Sequence, residues 1–215
     1  MSAFIAVKNG DTIIVAADTL VTKEDDGGFT PIQFVSKIFP IIMKKSLIVG
    51  VGCLETIHEW AQIAERNIFA DNILTLDQFS TAAMQKYLLP KYRDVYTCIY
   101  QYGFDLSGHP HGFKYDSDQN YNSIEICDAV IIRPGEKSAL DTSGGENLTD
   151  IYFNNLQNLK RISELKSTNH RANIGGAMQI AVLTADGFNT NIDRYFDDYE
   201  ELRDLILSNI KDKQV

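Results

Sequence analysis

The opening β-hairpin pattern constrains the fold more than any other feature of the sequence. Phe4–Val7 is a short apolar run. Asn9-Gly10 follows it and is a dipeptide favoured in type I′ turns, because both central residues of that turn need a positive φ. Thr12–Ala17 is then almost continuously apolar, which is typical of a strand covered on both faces. The sequence therefore predicts a β-hairpin in the interior of the protein.

The rest of the chain alternates groups of strands with groups of helices, which predicts an α+β fold rather than βαβ units. We expect further strands at 34–39, 46–51, 95–102, 124–132, 138–142 and 178–184. We expect helices at 54–69, 76–89, 148–159 and 198–211, a polar loop at 23–30 and an insertion loop at 104–122. The helices could cover opposite faces of a two-sheet sandwich. A length of 215 residues suits a single domain, 1–215.

The charge balance excludes several classes of partner. Lys and Arg number 20 against 29 Asp and Glu, a net charge of −9. We expect binding to neither nucleic acid nor a membrane, because nucleic acids and anionic membranes both attract basic surfaces. No apolar run approaches the roughly 20 residues of a membrane helix. The three cysteines, Cys53, Cys98 and Cys127, are widely separated, which argues against a disulfide framework and favours the reducing cytoplasm.

Ser2 is the candidate nucleophile. If Met1 is removed, Ser2 carries a hydroxyl and a free α-amine on the same residue. An α-amine has a pKa of about 7.7–8.0, so a substantial fraction is unprotonated near neutral pH and can act as a base. A hydroxyl beside such a base is an activated nucleophile. The alternative is that Met-Ser is an ordinary start of a chain.

Three further residues could complete a catalytic site. If their strands are neighbours in the sheet, Lys37 would lie against Ser2 and tune its amine and hydroxyl. Asp18 would pair with Lys37 and fix its position. The backbone N–H around Gly52 would face a developing oxyanion. The alternative is an ion pair at a strand end and a tight turn before a helix.

These segments together resemble the N-terminal-nucleophile (Ntn) hydrolases of the proteasome β-subunit and HslV family. In that family an acidic residue follows the nucleophile by sixteen positions, as Asp18 follows Ser2. Ser36–Phe39 is similar to the segment that carries the family lysine. Val49–Gly52 is similar to the strand that supplies the oxyanion N–H.

The resemblance also implies a fold, an activity and partners. Ser143-Gly144-Gly145 is similar to the family segment whose serine supports the N-terminal amine. The implied fold is a four-layer αββα sandwich. The implied activity is cleavage of peptide or amide bonds in a peptide or protein substrate, without a metal or an organic cofactor. A cytoplasmic homo-oligomeric ring is implied as well, which an ATPase unfoldase could serve.

The chain departs from the family pattern at several positions. Most members use threonine as the nucleophile, where this chain has Ser2. The family places an aspartate and a serine just before a Gly-Gly pair, and this chain has Arg171 and Ile174 there. Asn173 could replace the lost hydrogen-bonding partner. The segment between Asp18 and Lys37 is also several residues longer than in the family.

Two other functions stay open. The first is a catalytically inactive protein of the same fold with a structural, peptide-binding or scaffolding role, which the departures at 171 and 174 favour. The second is an amidase that acts on a small molecule. We interpret His109 and His111 as part of a solvated loop rather than a metal pair, and Asp116 and Asp118 as surface charges.

Overall fold

The predicted hairpin lies inside one of two large antiparallel sheets. The computed structural model describes residues 3–25, 28–134, 140–142, 147–166 and 172–212. Within these ranges the strands are β1 (Phe4–Asn9), β2 (Thr12–Asp18), β3 (Leu20–Asp25), β4 (Gly28–Phe34), β5 (Phe39–Ile41), β6 (Ser46–Gly52), β7 (Thr97–Phe104), β8 (Pro110–Asp116), β9 (Ser123–Glu125), β10 (Val130–Arg133), β11 (Ala177–Thr184) and β12 (Phe188–Tyr195). The α-helices there are α1 (Leu54–Arg66), α2 (Ile73–Tyr87), α3 (Leu148–Glu164) and α4 (Tyr199–Asp212).

The described strands form three antiparallel sheets. The first sheet has the order β10-β1-β2-β11-β12, and the second has the order β5-β6-β7-β8-β9. The strands β3 and β4 pair with each other as a separate hairpin. In the first sheet Phe4 lies opposite Ala17, and Asp18 lies opposite Met178. The C-terminal end of β2, at Asp18, is therefore an interior position of the sheet.

Three apolar cores hold the sheets and helices together. The core between the two large sheets includes Val15 from β2 and Val49 from β6. A second core fills the space between the second sheet and the helices α1 and α2, with Trp60 fully buried in it. A third core packs Tyr152 of α3 against Ile5 of the first sheet. The protein is thus a mixed α/β fold in which the two large sheets face each other.

The apolar run of β2 is explained by these cores. Successive side chains of a strand point to opposite faces of its sheet. Ile13, Val15 and Ala17 point into the core between the sheets, and Ala16 points into the core beneath α3. The prediction that both faces of this strand are covered is confirmed.

The helices follow the predicted pattern, with one shifted start. The helix α2 begins at Ile73 rather than near residue 76, because the side chain of Asn72 accepts hydrogen bonds from the N–H groups of Leu74 and Thr75 and caps the helix. The C-terminal helix is present as α4. Among the described residues, no helix is long and apolar enough to span a membrane.

Two expectations about the segment before residue 40 are wrong. The stretch 23–30 was expected to be a loop, but its described residues belong to the β3–β4 hairpin. The strand expected at 34–39 is interrupted, because β4 ends at Phe34 and β5 begins at Phe39. Lys37 therefore lies in an irregular connection between two sheets.

Three later expectations also need correction. The stretch 104–122 is not simply a loop, because 110–116 forms β8 and buries Phe113 and Tyr115 against the helices of the second core. The single strand expected at 124–132 is two short strands, β9 and β10, which belong to different sheets.

The strand β12 was missed, because it is a mostly polar and exposed edge strand. The strand expected at 138–142 lies partly outside the described residues, and 140–142 have no regular structure.

Candidate active site

Asp18 is the centre of a buried hydrogen-bond network at the end of β2. Its side chain is fully buried. Oδ1 accepts a hydrogen bond from the Ala3 N–H at 2.9 Å. Oδ2 accepts hydrogen bonds from the Lys37 ammonium at 2.8 Å, the Leu20 N–H at 3.2 Å and the Gly175 N–H at 3.4 Å. The carboxylate is thus satisfied by three backbone amides and one cation, which is what a buried charge requires.

Lys37 reaches Asp18 from the irregular connection after β4. The Val35 N–H donates to the Thr19 carbonyl at 2.9 Å, and the Ser36 hydroxyl donates to the Ile38 carbonyl at 2.9 Å. These bonds fix the connection on both sides of Lys37. Burial lowers the pKa of the Lys37 ammonium, and the Asp18 carboxylate acts in the opposite direction.

Gly52 ends β6 in a conformation that only glycine adopts without strain. Its φ is +104°. A Cβ at this position would lie 2.2 Å from the carbonyl oxygen of Tyr96. The end of β6 can therefore approach the backbone of Tyr96 closely, and a side chain here would push β6 away from the segment before β7.

A cavity of about 630 Å³ brings Lys37 and Gly52 together. Its walls are the β3–β4 hairpin, the start of α1 and the segment before β7. Asp18 ends a strand of the first sheet and Gly52 ends a strand of the second, so the expectation that the candidate residues are neighbours in one sheet is wrong. Lys37, in the connection between β4 and β5, links them, because it pairs with Asp18 and lines the same cavity as Gly52.

Several predicted site residues fall outside the described residues or away from this network. Ser2, Ser143 and Arg171 lie outside the described residues. Asn173 donates from Nδ2 to the Thr22 hydroxyl at 3.2 Å. Ile174 is buried in the core beneath α3 and has the role of a packing residue. The catalytic roles of Ser2 and Ser143 and the hydrogen-bonding role of Asn173 at the N-terminal amine stay predictions.

The contacts between Thr19 and Gly175–Ala177 also shape the site, and they were not predicted from the sequence. The Thr19 hydroxyl accepts a hydrogen bond from the Ala177 N–H at 2.8 Å, and the Gly175 carbonyl accepts from the N–H groups of Thr19 and Leu20 at 3.3 and 3.1 Å. Gly176 has a φ of +79°, and a Cβ there would lie 2.5 Å from the Thr19 hydroxyl. The Gly175-Gly176 pair was the available signal, since such a pair marks close backbone approach.

His109, in the β7–β8 turn, and His111, in β8, contact carboxylates of the turn and of β9. His109 and His111 each lie 3.4 Å from Oδ2 of Asp105, and Nδ1 of His111 lies 3.1 Å from Glu125. Among the residues that the structure describes, no group of three or more His, Cys, Asp or Glu side chains could hold a metal ion.

Comparison with known proteins gives a likeness in fold. No family model matches the sequence, and no curated protein matches it either. Among solved structures, the chain matches a Gly-1 mutant of Anbu from Hyphomicrobium sp. strain MC1 with a TM-score of 0.64 and 14% sequence identity. The match covers 100% of this chain and 95% of that chain. The protein is similar in fold to Anbu.

This finding corrects the resemblance drawn from the sequence. The assignment to the proteasome β-subunit and HslV family is wrong, because the solved structure that the chain matches is a mutant of Anbu. At 14% identity the likeness to Anbu concerns the fold alone. The function of the protein therefore depends on the side chains of the candidate site and does not follow from the fold.

Proposed function

We propose that the protein is an N-terminal-nucleophile hydrolase that cleaves peptide or amide bonds with Ser2 once Met1 has been removed. The observation that carries the proposal is the buried contact of Asp18 with both Lys37 and the Ala3 N–H. The Ala3 nitrogen is bonded to the carbonyl carbon of residue 2. One oxygen of the Asp18 carboxylate thus binds the N–H of the peptide bond that follows Ser2, and the other oxygen binds the Lys37 ammonium.

The proposed reaction needs only groups of this chain and water. The Ser2 hydroxyl oxygen attacks the substrate carbonyl carbon, and its proton passes to the α-amine of Ser2. The C–N bond of the substrate breaks, and the leaving amine takes that proton. A water molecule then attacks the ester on Ser2, giving its proton to the amine, and the carboxylic acid is released as the serine hydroxyl is restored.

The surrounding residues would support each step. The Lys37 ammonium favours the unprotonated amine and stabilises negative charge on the hydroxyl oxygen. Asp18 holds Lys37 in place, and an N–H at the Gly52 end of β6 stabilises the oxyanion. Ser143 would hydrogen-bond the α-amine.

The architecture and surroundings of this hydrolase are part of the proposal. The three cores are compatible with a four-layer αββα sandwich, in which helices cover the outer faces of two facing sheets. Exposed apolar side chains on and after α1 and α2, Phe69 and Phe79 above all, support assembly into a homo-oligomeric ring. The free thiols of Cys53, Cys98 and Cys127 support a reducing, cytoplasmic location.

A non-catalytic role is the second candidate, and Ile174 favours it. One residue before Gly175, whose N–H binds Asp18, the Ile174 side chain is apolar and buried in the core beneath α3. It cannot donate a hydrogen bond to an N-terminal amine. A protein of this kind would bind a peptide or act as a scaffold.

Intact mass and peptide hydrolysis separate the two candidates. The enzyme requires a mass that lacks one methionine residue and a hydrolytic rate that Ser2→Ala abolishes. Ser2→Thr should retain activity, because threonine also offers a hydroxyl and an α-amine. A protein that keeps Met1, or that hydrolyses no peptide, would leave only the non-catalytic role, and a rate that is unchanged in Ser2→Ala would exclude Ser2 as the nucleophile.

A further inference from the structure

We propose that Gln179 is a positioning residue of the candidate active site, which holds Lys37 against Asp18 through the hydroxyl of Ser36. The inference rests on the proposed function, since the position of Lys37 matters for catalysis only in that reaction. Gln179 lies in β11, the strand that pairs with the whole length of β2 up to Asp18.

The side chain of Gln179 lies on the side of the first sheet that faces the second sheet. Gln179 is opposite Ala17, the residue before Asp18. Ala181 of β11 points into the core between the sheets, and Met178 points into the core beneath α3. Because the side chains of a strand alternate, Gln179 points to the same side as Ala181. Gln179 is buried, and a buried amide is costly unless it is hydrogen-bonded.

The amide of Gln179 joins β12 to the connection that carries Lys37. Its Nε2 donates to the Thr190 hydroxyl of β12 at 3.2 Å, and this hydroxyl donates to the Ile180 carbonyl, also at 3.2 Å. Its Oε1 accepts a hydrogen bond from the Ser36 hydroxyl at 2.9 Å. The contact with Thr190 therefore fixes the amide in the orientation that presents its oxygen to Ser36.

Ser36 directly precedes Lys37 in a stretch without regular structure. Residues 35–38 belong to no strand, so no ladder of hydrogen bonds holds them to a sheet. The Ser36 hydroxyl also donates to the Ile38 carbonyl at 2.9 Å, but that bond lies within the connection itself. The contact with Gln179 joins the same hydroxyl to the first sheet, 143 residues away in the sequence. Gln179 therefore ties the backbone beside Lys37 to a strand of that sheet.

The contact between Ser36 and Gln179 restrains the ammonium of Lys37. A lysine side chain is flexible, so its ammonium returns to one place only if the backbone beneath it is fixed. The ammonium lies 2.8 Å from Oδ2 of Asp18 in the interior of the protein. A misplacement of about 1 Å can cost much of the effect of a catalytic group. Loss of the contact should therefore weaken the action of Lys37 on Ser2 without removing the lysine.

The test compares Gln179→Met with Gln101→Met. Methionine is similar in length to glutamine but has no amide, so Gln179→Met removes the contact with Ser36. Gln101 is the matched control, because it is also buried but lies in β7 and accepts a hydrogen bond from Trp60. Circular dichroism shows whether each variant folds. Effects that Gln179→Met has and Gln101→Met lacks then come from the surroundings of Ser36.

Hydrogen exchange of the Val35 amide measures how firmly the connection is held, and it needs no catalysis. This N–H donates to the Thr19 carbonyl, so it exchanges when the connection opens. We expect exchange to be faster by about fivefold in Gln179→Met, the factor that corresponds to one hydrogen bond, and unchanged in Gln101→Met. Ser36→Ala should have at least this effect, and the double variant of Ser36 and Gln179 should equal Ser36→Ala.

The pH dependence of kcat/KM for peptide hydrolysis reports the position of the Lys37 ammonium. A displaced ammonium favours the unprotonated α-amine of Ser2 less. The acid limb of the profile should therefore move to higher pH in Gln179→Met and stay in place in Gln101→Met. A loss of folded protein alone would lower the whole profile without moving it.

The outcomes separate this inference from the proposed function. Equal exchange in Gln179→Met and the wild-type protein overturns the inference, as does an unmoved acid limb in an active variant. Faster exchange in a protein that hydrolyses no peptide overturns the proposed function and keeps Gln179 as the restraint on Lys37. If Gln179→Met does not fold, Ser36→Ala decides both measurements, because Ser36 is exposed and its truncation leaves the core intact.

Discussion

The ammonium nitrogen of Lys37 lies 2.8 Å from Oδ2 of Asp18, and the two side chains are only 3% and 0% exposed. Each partner of such a buried pair compensates the charge of the other, so loss of one partner leaves an uncompensated charge in the interior. Asp18 also binds three backbone N–H groups, from Ala3, Leu20 and Gly175. The pair therefore joins the start of β1, the end of β2 and the connection before β5.

We expect Asp18→Asn to lower the free energy of unfolding by about 3–5 kcal/mol, since this is the usual cost of breaking a buried pair from one side. The substitution keeps the size of the side chain but leaves the Lys37 ammonium without its anion. Urea denaturation followed by the fluorescence of Trp60 measures the effect, because Trp60 is the single tryptophan and is fully buried.

The double variant Asp18→Asn with Lys37→Met provides the control. Removal of both charges should cost less than the sum of the two single substitutions, with a coupling of about 1–3 kcal/mol. Strict additivity of the two effects would show that the pair makes no net interaction.

Lys37→Met should abolish hydrolysis, whereas Lys44→Met should not. Both lysines are buried, and burial lowers the pKa of each. Lys44, however, donates to the carbonyls of Ala64 and Glu65 at the end of α1, away from the cavity. We expect kcat/KM to fall by about 10²-fold or more for Lys37→Met. An equal loss of kcat/KM in both variants, measured on folded protein, would show that Lys37 contributes only to stability.

Local signals explain which parts of the fold could be predicted. The β1–β2 hairpin was predicted because the turn dipeptide at Asn9-Gly10 and the apolar strands lie within eighteen residues. The β3–β4 hairpin was missed because its tip is polar and its stability depends on distant contacts, such as the stacking of Phe34 on Tyr199. The division of 124–132 between two sheets was missed for the same reason, since pairing partners do not appear in a local pattern.

The candidate site shows the same limit. From the sequence, Asp18 was expected to pair with Lys37 if their strands were neighbours in one sheet, and the pair forms although they are not. No sequence pattern indicated that the N–H groups of Ala3 and Gly175 would bind Asp18. Every residue except proline carries this donor, and only the fold determines where it points. Facing sheets, rather than neighbouring strands, bring Gly52 to the same cavity.

Gly52→Ala should be far more damaging than Gly108→Ala. Both glycines have a positive φ, +104° and +81°, so either substitution carries the strain of about 1–2 kcal/mol for a side chain in that region. At Gly52 the new Cβ would also lie 2.2 Å from the Tyr96 carbonyl oxygen, whereas at Gly108 nothing lies within 4 Å. Thermal unfolding of the two variants measures the difference, and equal shifts in Tm would contradict the close approach at Gly52.

Buried tyrosines make the protein sensitive to alkaline pH. Burial raises the pKa of Tyr121 to about 12 and raises the pKa of Tyr152 even further. A tyrosine in the unfolded chain ionises near pH 10. Above that pH the unfolded state therefore binds fewer protons than the native state, so the stability that is present below pH 10 is lost as the pH rises towards and through the native pKa.

Tyr152→Phe should reduce this loss of stability at alkaline pH, because it removes one of the buried tyrosine hydroxyls. Each buried tyrosine contributes up to about 1.4 kcal/mol per pH unit above 10, so the stability of the variant should fall less steeply between pH 10 and 12. At pH 8 the variant should be at least as stable as the wild type, because within the described residues the Tyr152 hydroxyl is buried without a hydrogen-bond partner. Urea denaturation at pH 8, 10 and 11 tests both points. Tyr195→Phe, at an exposed position, should leave the pH dependence unchanged, and identical slopes in the Tyr152→Phe and wild-type proteins would show that this hydroxyl reaches water.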